Sequence, residues 1–313
     1  MSKDIWNDFD EKTEELFRFT NGKQVVLWGY GYSGWFIEHL FQRKNRSIEY
    51  IVDDGDLSCK LKLYCSFILK DMDKDTTAVI LTFKHDENAE KLLEEAGYKR
   101  NEHYIYARDL FYGENDKRMC SYHNWLEEHY KMDLVKCVPV EELELSSADA
   151  ILYSPGIDYA LPAVLDNFSF TENDSVFGFG CGKGGALLLF SKYGVKKLGG
   201  VEFDTNLYET LEQNFNMVGM DTNGIIHGDA TQAKEKLDDY NYFYMYNPFE
   251  GDTFRNVIQN MEESFRRSPR RITLIYAGAW LHNDVVANGY FKLAKQVYTD
   301  TWVRYVNIYT ITP

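Results

Sequence analysis

The stretch Asp174–Asp204, DSVFGFGCGKGGALLLFSKYGVKKLGGVEFD, decides the fold expected for the second half of this chain. Apolar residues at Val176–Phe179 predict a buried strand, and a glycine turn follows at Gly180, Gly182, Gly184 and Gly185. A helix is predicted over Ala186–Tyr193, and a second strand over Leu198–Phe203 brings an acid, Glu202, to its tip. In such a unit the glycines let the backbone approach a ligand, and the acid can accept hydrogen bonds from ribose hydroxyls. The stretch therefore predicts a nucleotide-type binding site.

An earlier segment has the same order of elements. Gln24–Trp28 predicts a buried strand, and GxGxxG spacing follows it at Gly29, Gly31 and Gly34. A helix is predicted over Trp35–Gln42 and a strand over Ile48–Val52, which leads into the acids Asp53 and Asp54. Alternating strands and helices continue to about residue 110. We predict a small doubly wound, Rossmann-like α/β domain over residues 22–110.

The remaining segments complete the expected domain plan. A leading amphipathic helix is predicted within residues 1–21, a helical bridge over residues 111–150 and a second domain over residues 151–313. After Glu202 the alternation continues and ends in two strands, Gln296–Tyr298 and Trp302–Ile311. This pattern predicts a second doubly wound domain with a seven-stranded mixed sheet, whose last strand inserts antiparallel as part of a terminal hairpin.

Composition restricts the classes of function. The chain has 49 acidic and 34 basic residues and a net charge of −15, so we expect no nucleic acid partner. Five cysteines and seven histidines show no CxxC, HExxH or HxH spacing, and we expect no disulfide framework and no metal. The acidic amino-terminal segment lacks the apolar core of a signal peptide, and no apolar run approaches the ~20 residues of a membrane span. We expect a soluble, cytoplasmic protein.

Residues 150–313 resemble the class I S-adenosylmethionine-dependent methyltransferases. VFGFGCGKGG matches the glycine loop of that family, and Glu202 in GGVEFD matches the acid that holds the ribose hydroxyls. Asp229 in IIHGDA matches the residue that accepts from the adenine amino group, and Asn247-Pro248-Phe249 matches the motif beside the methyl group. The resemblance implies S-adenosyl-L-methionine as cofactor and S-adenosyl-L-homocysteine as product. The cofactor-binding residues that it implies are Gly180, Cys181, Gly182, Gly184, Glu202, Phe203, Asp229, Ala230 and Asn247.

One position departs from the family pattern. Many relatives carry Asp two residues before the first loop glycine, where this chain has Gly178. That Asp usually braces the loop or reaches the methionine amino group of the cofactor. Its absence leaves three interpretations: another residue braces the loop, the cofactor affinity is lower, or the domain is non-catalytic.

The chemistry expected of a methyl transfer is modest, because the sulfonium is already a strong electrophile and the protein mainly aligns the nucleophile. A general base helps an oxygen nucleophile, whereas an amine need only be neutral. We predict catalytic roles for Asn247, His282 and Asp158. Glu250 is a further candidate base, and His227 is expected to be a buried structural histidine.

The first domain carries a second resemblance. VVLWGYGYSGWFIEHL…IEYIVDDG is similar to small nucleotide-binding-like domains fused to sugar-modifying enzymes of bacterial surface-polysaccharide pathways. The resemblance implies a small or carbohydrate acceptor, such as a nucleotide-linked sugar or a glycan precursor. We do not expect NAD at this loop; its glycines would let helix and strand pack closely, and the domain would serve as a homodimer face.

Two alternatives stay open. GKGG…GVEFD…NPF also looks like the lysine methyltransferases that modify histone in a nucleosome, so a protein amine is an alternative acceptor. A non-catalytic sensor or scaffold that binds S-adenosylmethionine is the other, motivated by Gly178 and by the two α/β domains.

Overall fold

The computed structural model describes residues 5–55, 63–114, 116–143, 160–299 and 305–313. The chain divides into two compact units, Asp4–His129 and Tyr130–Pro313. The predicted boundary at residue 150 lies outside the described residues and stays a prediction. Within the described part of the chain, no helix combines the length and the apolar character needed to cross a bilayer.

The first unit is built on a parallel five-stranded sheet in the order β3-β2-β1-β4-β5. Its strands are β1 (Gln24–Trp28), β2 (Tyr50–Val52), β3 (Leu63–Tyr64), β4 (Thr77–Leu81) and β5 (Tyr104–Tyr106). Its helices are α1 (Asn7–Phe19), α2 (Tyr32–Arg43), α3 (Glu87–Glu95), α4 (Ala107–Tyr112) and α5 (Tyr122–Tyr130). The sheet extends from β1 in both directions, which confirms the predicted doubly wound fold.

The second unit contains seven strands and five α-helices within its described residues. The strands are β6 (Ser175–Phe179), β7 (Lys197–Glu202), β8 (Ile225–His227), β9 (Tyr242–Tyr246), β10 (Ile272–Ala277), β11 (Lys292–Tyr298) and β12 (Tyr305–Ile311). The helices are α6 (Leu161–Leu165), α7 (Gly185–Lys192), α8 (Thr205–Met217), α9 (Gly251–Arg267) and α10 (His282–Val286). Short 3-10 turns precede the sheet at Val140–Glu142 and follow β8 at Ala230–Gln232 and Lys234–Asp239.

The sheet of the second unit has the order β11-β12-β10-β9-β6-β7-β8. Neighbours from β10 to β8 are parallel, and β12 lies antiparallel between β10 and β11. This confirms the seven-stranded mixed sheet and the inserted last strand. The strand order reverses between β6 and β9, so a crevice opens there at the carboxyl ends of the strands, where open α/β sheets bind ligands.

One face of this sheet forms a large apolar core with α9. Phe254, Val257, Ile258 and Met261 of α9 are buried at the spacing that places side chains on one helical face. They pack with side chains of the central strands, including Phe243 and Met245 of β9. The aromatic run over β9 is thus a buried central strand, as predicted.

The terminal hairpin extends further than its pattern indicated. Strand β11 begins at Lys292, four residues before the predicted start at Gln296, and nearly all of its side chains are exposed. An edge strand without a buried face gives no alternation of apolar residues, so the sequence carried no signal for its first half. Lysines in this segment are typical of edge strands that avoid further pairing.

Candidate functional site

The glycine loop joins β6 to α7 at the centre of the sheet. Gly180, Gly182 and Gly184 have φ values of +61°, +52° and +87°, in the left-handed region that favours glycine. A methyl group at Gly180 would lie 2.5 Å from Pro248 Cβ, and one at Gly184 would lie 2.8 Å from Phe215 Cε1 of α8. The loop is therefore held between the tip of β9 and helix α8, with no room for side chains at these two positions.

Glu202 at the tip of β7 is tied to this loop. Its side chain is only 7% exposed, and Oε2 accepts from the Gly182 N–H at 2.7 Å. Oε1 accepts from the N–H groups of Phe203 and Asp204 at 2.9 and 3.0 Å. Burial raises the pKa of Glu202, and these three hydrogen bonds offset only part of the rise. Because Oε2 takes one hydrogen bond within the described chain, it can still accept from a hydroxyl donor.

The side chain of Cys181 lies beside Gly178 and Gly200. Gly178 of β6 pairs with Gly200 of β7, and a methyl group at Gly200 would lie 2.9 Å from Cys181 Sγ. At Gly178 a methyl group would already contact Cys181 Cβ and Leu187 Cδ2 at 3.4 Å. Cys181 thus occupies the space beside both glycines, and an acid at position 178 would have to extend past it. Burial and the nearby Glu202 carboxylate raise the pKa of the Cys181 thiol well above its usual value, so it stays neutral.

The neighbouring tips of β7 and β8 present an aromatic ring and a second carboxylate. Phe203 is 37% exposed directly after Glu202. Asp229 is exposed after β8, where Oδ1 accepts from the N–H and the hydroxyl of Thr231, both at 2.8 Å. Ala230, which lies between Asp229 and Thr231 in the turn, is buried. An acid for hydroxyls, an aromatic face and an acid for an exocyclic amine suit a nucleoside.

Asn247 follows β9 and adopts a left-handed backbone, with φ +40°. It is 9% exposed, and its Oδ1 accepts from the Tyr276 hydroxyl of β10 at 3.1 Å. Burial raises the pKa of Tyr276, which keeps this phenol protonated and a donor. The next residues anchor the turn, because Pro248 packs on Gly180 and Phe249 enters the core. Asn247 is therefore fixed beside the glycine loop at the crevice.

His282 opens α10 and is bound to β12. Its Nδ1 lies 2.9 Å from the Tyr309 hydroxyl, and the two rings stack with centroids 5.7 Å apart. Asn307 Nδ2 donates to the same hydroxyl oxygen at 2.9 Å. These contacts hold the His282 ring against β12. Its predicted catalytic role stays a prediction.

The other candidate bases have different positions. His227 is exposed, stacks on Tyr208 at 4.6 Å and lies 3.3 Å from the Thr205 hydroxyl through Nε2. The prediction of a buried histidine is wrong, because β8 is the edge strand of the sheet and leaves its end open to solvent. Glu250 is exposed just before α9. Asp158 lies outside the described residues.

The sequence reasoning missed a buried polar group behind the glycine loop. Lys183, from within the loop, is 2% exposed and contacts Asp133 of a preceding segment. Asn214 of α8 is 1% exposed and hydrogen bonds to the same segment. The one available signal was a charged residue inside an otherwise apolar and glycine-rich stretch.

The glycine loop of the first unit has a related geometry. Asp53 Oδ2 accepts from the Tyr30 N–H at 2.6 Å and Oδ1 from the Gly55 N–H at 2.8 Å. A methyl group at Gly29 would lie 2.7 Å from Thr82 Oγ1, and one at Gly34 would clash with the Gly29 carbonyl oxygen. A cavity of about 390 Å³ beside the loop has these six residues in its lining: Trp28, Phe83, Leu92, Asp53, Asp54 and Asp86.

Comparisons with known proteins give distant likenesses. No family model matches the sequence, and neither does any curated protein. TrmN from Thermus thermophilus is 13% identical, with 49% of this chain and 48% of TrmN covered and a TM-score of 0.40. A ribosomal protein L11 methylase from Lactobacillus delbrueckii subsp. bulgaricus is 11% identical, with coverage of 54% and 84% and a TM-score of 0.39. A mutant form of MtNAS is 19% identical, with coverage of 51% and 61% and a TM-score of 0.38. The chain thus spans less than two thirds of MtNAS and TrmN, and these scores carry no functional conclusion.

Within the described ranges, no group of three or more His, Cys, Asp or Glu side chains could hold a metal ion. The crevice between β6 and β9 is instead lined by single polar groups, each fixed by a backbone or side-chain partner.

Proposed function

We propose that the second unit is an S-adenosylmethionine-dependent methyltransferase. The observation that carries the proposal is the buried Glu202 carboxylate, which joins the tip of β7 to the Gly182 N–H and keeps an acceptor position on Oε2. Phe203, Asp229 and Asn247 follow along the neighbouring strand tips. This order across a seven-stranded mixed sheet supports a nucleoside-linked cofactor in the crevice where the strand order reverses.

Each residue has a proposed role in holding the cofactor. Gly180, Cys181, Gly182 and Gly184 form the loop along its methionine and ribose portions, where the absence of side chains on the glycines admits close backbone approach. Glu202 accepts from the ribose hydroxyls. Phe203 and Ala230 flank the adenine, and Asp229 accepts from its amino group. The bound cofactor supplies a methyl group on a positively charged sulfur, which is already activated toward a nucleophile.

The chain's own part in the reaction is alignment. Asn247 can accept a hydrogen from the incoming nucleophile through its backbone carbonyl or through Oδ1, which Tyr276 holds in place. His282, held against Tyr309, is our second candidate for contacting the acceptor. Holding the reacting atoms in near-attack geometry can supply several kcal/mol of a barrier, so no strong base is needed for a neutral amine. For a hydroxyl acceptor, Asp158 remains our proposed base.

The acceptor that we propose is small or carbohydrate, such as a nucleotide-linked sugar or a glycan precursor. Its support is the resemblance of the first unit to domains fused to sugar-modifying enzymes. A protein amine is the second candidate, favoured by the amide at Asn247, since a neutral amine requires a hydrogen-bond acceptor and not a base. Mass spectrometry for the gain of one methyl group, across sugar nucleotides and basic peptides, separates the two. Cofactor binding with no methyl gain in any arm would support the sensor alternative.

With the acceptor that this screen returns, Asn247→Gly should lower kcat about 100-fold and raise the Kd of S-adenosylhomocysteine by a smaller factor, because it removes a group that aligns the nucleophile and contacts the cofactor. Asn101→Gly is the matched control, since Asn101 is also left-handed, with φ +65°, but is exposed in the first unit. Equal kcat values for the Asn247 variant and the wild type would refute the role of Asn247.

We also propose that the loop of the first unit does not bind NAD and that this unit forms a homodimer face in a cytoplasmic enzyme. Two observations support the first part. Close packing leaves no room for a side chain at Gly29 or Gly34, and the described lining of the adjacent cavity has Asp53, Asp54 and Asp86 but no Lys or Arg. These carboxylates would repel a pyrophosphate. A calorimetric titration of the full chain with NADH should therefore give no binding heat, and saturable binding that Gly31→Val abolishes would contradict the proposal.

A further inference from the structure

A short segment lies against the glycine loop of the second unit. We call this segment, Met132–Cys137, the strap. It follows Lys131, whose φ of +57° makes a sharp change of chain direction. Met132 and Leu134 are buried, whereas Asp133, Lys136 and Cys137 are exposed. The strap therefore lies on the unit with one apolar side inward.

Lys183 reaches from inside the glycine loop to the strap. Its Nζ lies 2.5 Å from Asp133 Oδ1 and donates to the Lys136 carbonyl at 3.0 Å. The Lys183 side chain is 3% exposed, whereas that of Asp133 is 53% exposed. A buried ammonium costs free energy unless it is paired and hydrogen bonded, and here the strap supplies both partners.

Asn214 joins the same strap to the same loop from α8. Its Oδ1 accepts from the Asp133 N–H at 3.0 Å. Its Nδ2 donates to the carbonyls of Asp133 at 2.9 Å and Lys183 at 3.0 Å. Both hydrogens of the amide are used, so this buried side chain connects strap, loop and helix at one point.

Around Gly178 the nearest side chains are apolar or neutral. A methyl group there would meet Cys181 Cβ and Leu187 Cδ2, both at 3.4 Å. Lys183 and Asn214 instead reach the loop from the side of the strap.

We propose that Lys183 is a positioning residue that braces the glycine loop by clamping the strap through Asp133 and Lys136. The inference rests on the proposed function and answers one question that Gly178 raises, namely which residue supports the loop. Since the strap and the loop share these hydrogen bonds, cofactor binding and strap order are coupled in both directions.

Two measurements on the full chain test this inference. In Lys183→Met, amide hydrogen exchange of residues 131–137 should rise about tenfold without ligand, and the Kd of S-adenosylhomocysteine should rise about tenfold. Lys196→Met is the control, because Lys196 is exposed on the loop between α7 and β7 and loses the same charge. It should change neither quantity.

A double-variant cycle separates positioning from general loss of stability. Asp133→Asn removes the carboxylate that pairs with the ammonium of Lys183. This variant also serves as the test if Lys183→Met does not fold. The combined Asp133→Asn/Lys183→Met chain should bind S-adenosylhomocysteine no more weakly than the weaker single variant, because both changes break the same contact. Additive losses would overturn the inference.

The outcomes also separate this inference from the proposed function. Unchanged exchange of the strap in Lys183→Met overturns the clamp, whatever the affinity for S-adenosylhomocysteine. A wild-type chain that binds no S-adenosylhomocysteine overturns the proposed function and the cofactor part of this inference together. Faster strap exchange combined with an unchanged Kd overturns the coupling and leaves the proposed function intact.

Discussion

Glu202→Gln is expected to weaken the binding of S-adenosylhomocysteine at least about 100-fold while the protein stays folded. The variant keeps the shape of the side chain but replaces one oxygen by an NH₂ group. If that group replaces Oε2, the Gly182 N–H at 2.7 Å and a ribose hydroxyl both lose their acceptor. If it replaces Oε1, the N–H groups of Phe203 and Asp204 lose theirs. Hydrogen bonds to a charged group contribute about 1.5–3 kcal/mol each, so losing two of them accounts for a change of this size. Isothermal titration calorimetry measures it.

A matched control is Glu209→Gln, which makes the same charge change at an exposed position of α8. Its affinity for S-adenosylhomocysteine should equal that of the wild type. If Glu202→Gln also bound S-adenosylhomocysteine as tightly as the wild type, the Glu202 carboxylate would not be the group that holds the ribose.

The same variant should show how much free energy of unfolding the chain loses by burying an ionised carboxylate at position 202. Burial raises the pKa of Glu202 in the folded chain. The protonated side chain therefore stabilises the fold, and this contribution to stability is complete below the pKa of glutamate in the unfolded chain. That contribution is lost as the pH rises through the raised folded pKa. Glu202→Gln has no titrating group there, so its free energy of unfolding relative to the wild type should increase from about pH 4 to about pH 7. Urea unfolding at several pH values measures this, and a difference that decreases over the range would contradict the assignment.

Gly180→Ala is expected to lower the free energy of unfolding of the second unit by about 3 kcal/mol or more. The new methyl group would lie 2.5 Å from Pro248 Cβ, so the loop or the turn after β9 must shift. Overpacking of this kind costs about 1–3 kcal/mol, and the left-handed backbone adds about 1 kcal/mol for any residue other than glycine. The same shift should abolish binding of S-adenosylhomocysteine.

Gly194→Ala separates these two contributions. Gly194 has φ +92°, but a methyl group there would meet nothing within 4 Å. The control should therefore lose only the backbone part, about 1 kcal/mol, and keep its affinity for the ligand. Equal losses of stability in the two variants, measured by urea unfolding, would show that Pro248 does not confine the loop.

The central part of the fold could be predicted from the sequence because its signals are local. Strands β6 and β7 are short apolar runs, and the glycines between them occupy backbone conformations that other residues adopt poorly. The inserted strand β12 was also predicted, since its run of β-branched and aromatic residues is typical of a strand. Strand β11 was predicted only in part, because its side chains are exposed and show no alternation of apolar and polar residues.

The hydrogen bonds that hold the glycine loop in place could not be predicted, because they join residues far apart in sequence. Asn214 meets Asp133 across 81 residues of sequence, and Lys183 meets the same residue across 50. The position of Cys181 beside Gly178 and Gly200 likewise follows from the pairing of β6 with β7. His227 was misjudged because nothing local shows that β8 is an edge strand.

The two glycine loops show why a motif alone does not decide function. In each unit the acid after the second strand accepts from a loop N–H, Asp53 from Tyr30 and Glu202 from Gly182. Around Asp53 the described surroundings add more carboxylates. Around Glu202 they add an exposed aromatic ring and a strand tip bearing Asn247. The second set suits a nucleoside with a reacting group beside it.

Calorimetric titration of the full wild-type chain with S-adenosylhomocysteine tests the central claim most directly. We predict saturable binding at one site per chain with a Kd in the micromolar range, competed by S-adenosylmethionine and lost in Glu202→Gln. Absence of binding heat in the folded wild-type chain, or binding that Glu202→Gln leaves unchanged, would contradict the assignment of this crevice as a methyltransferase site.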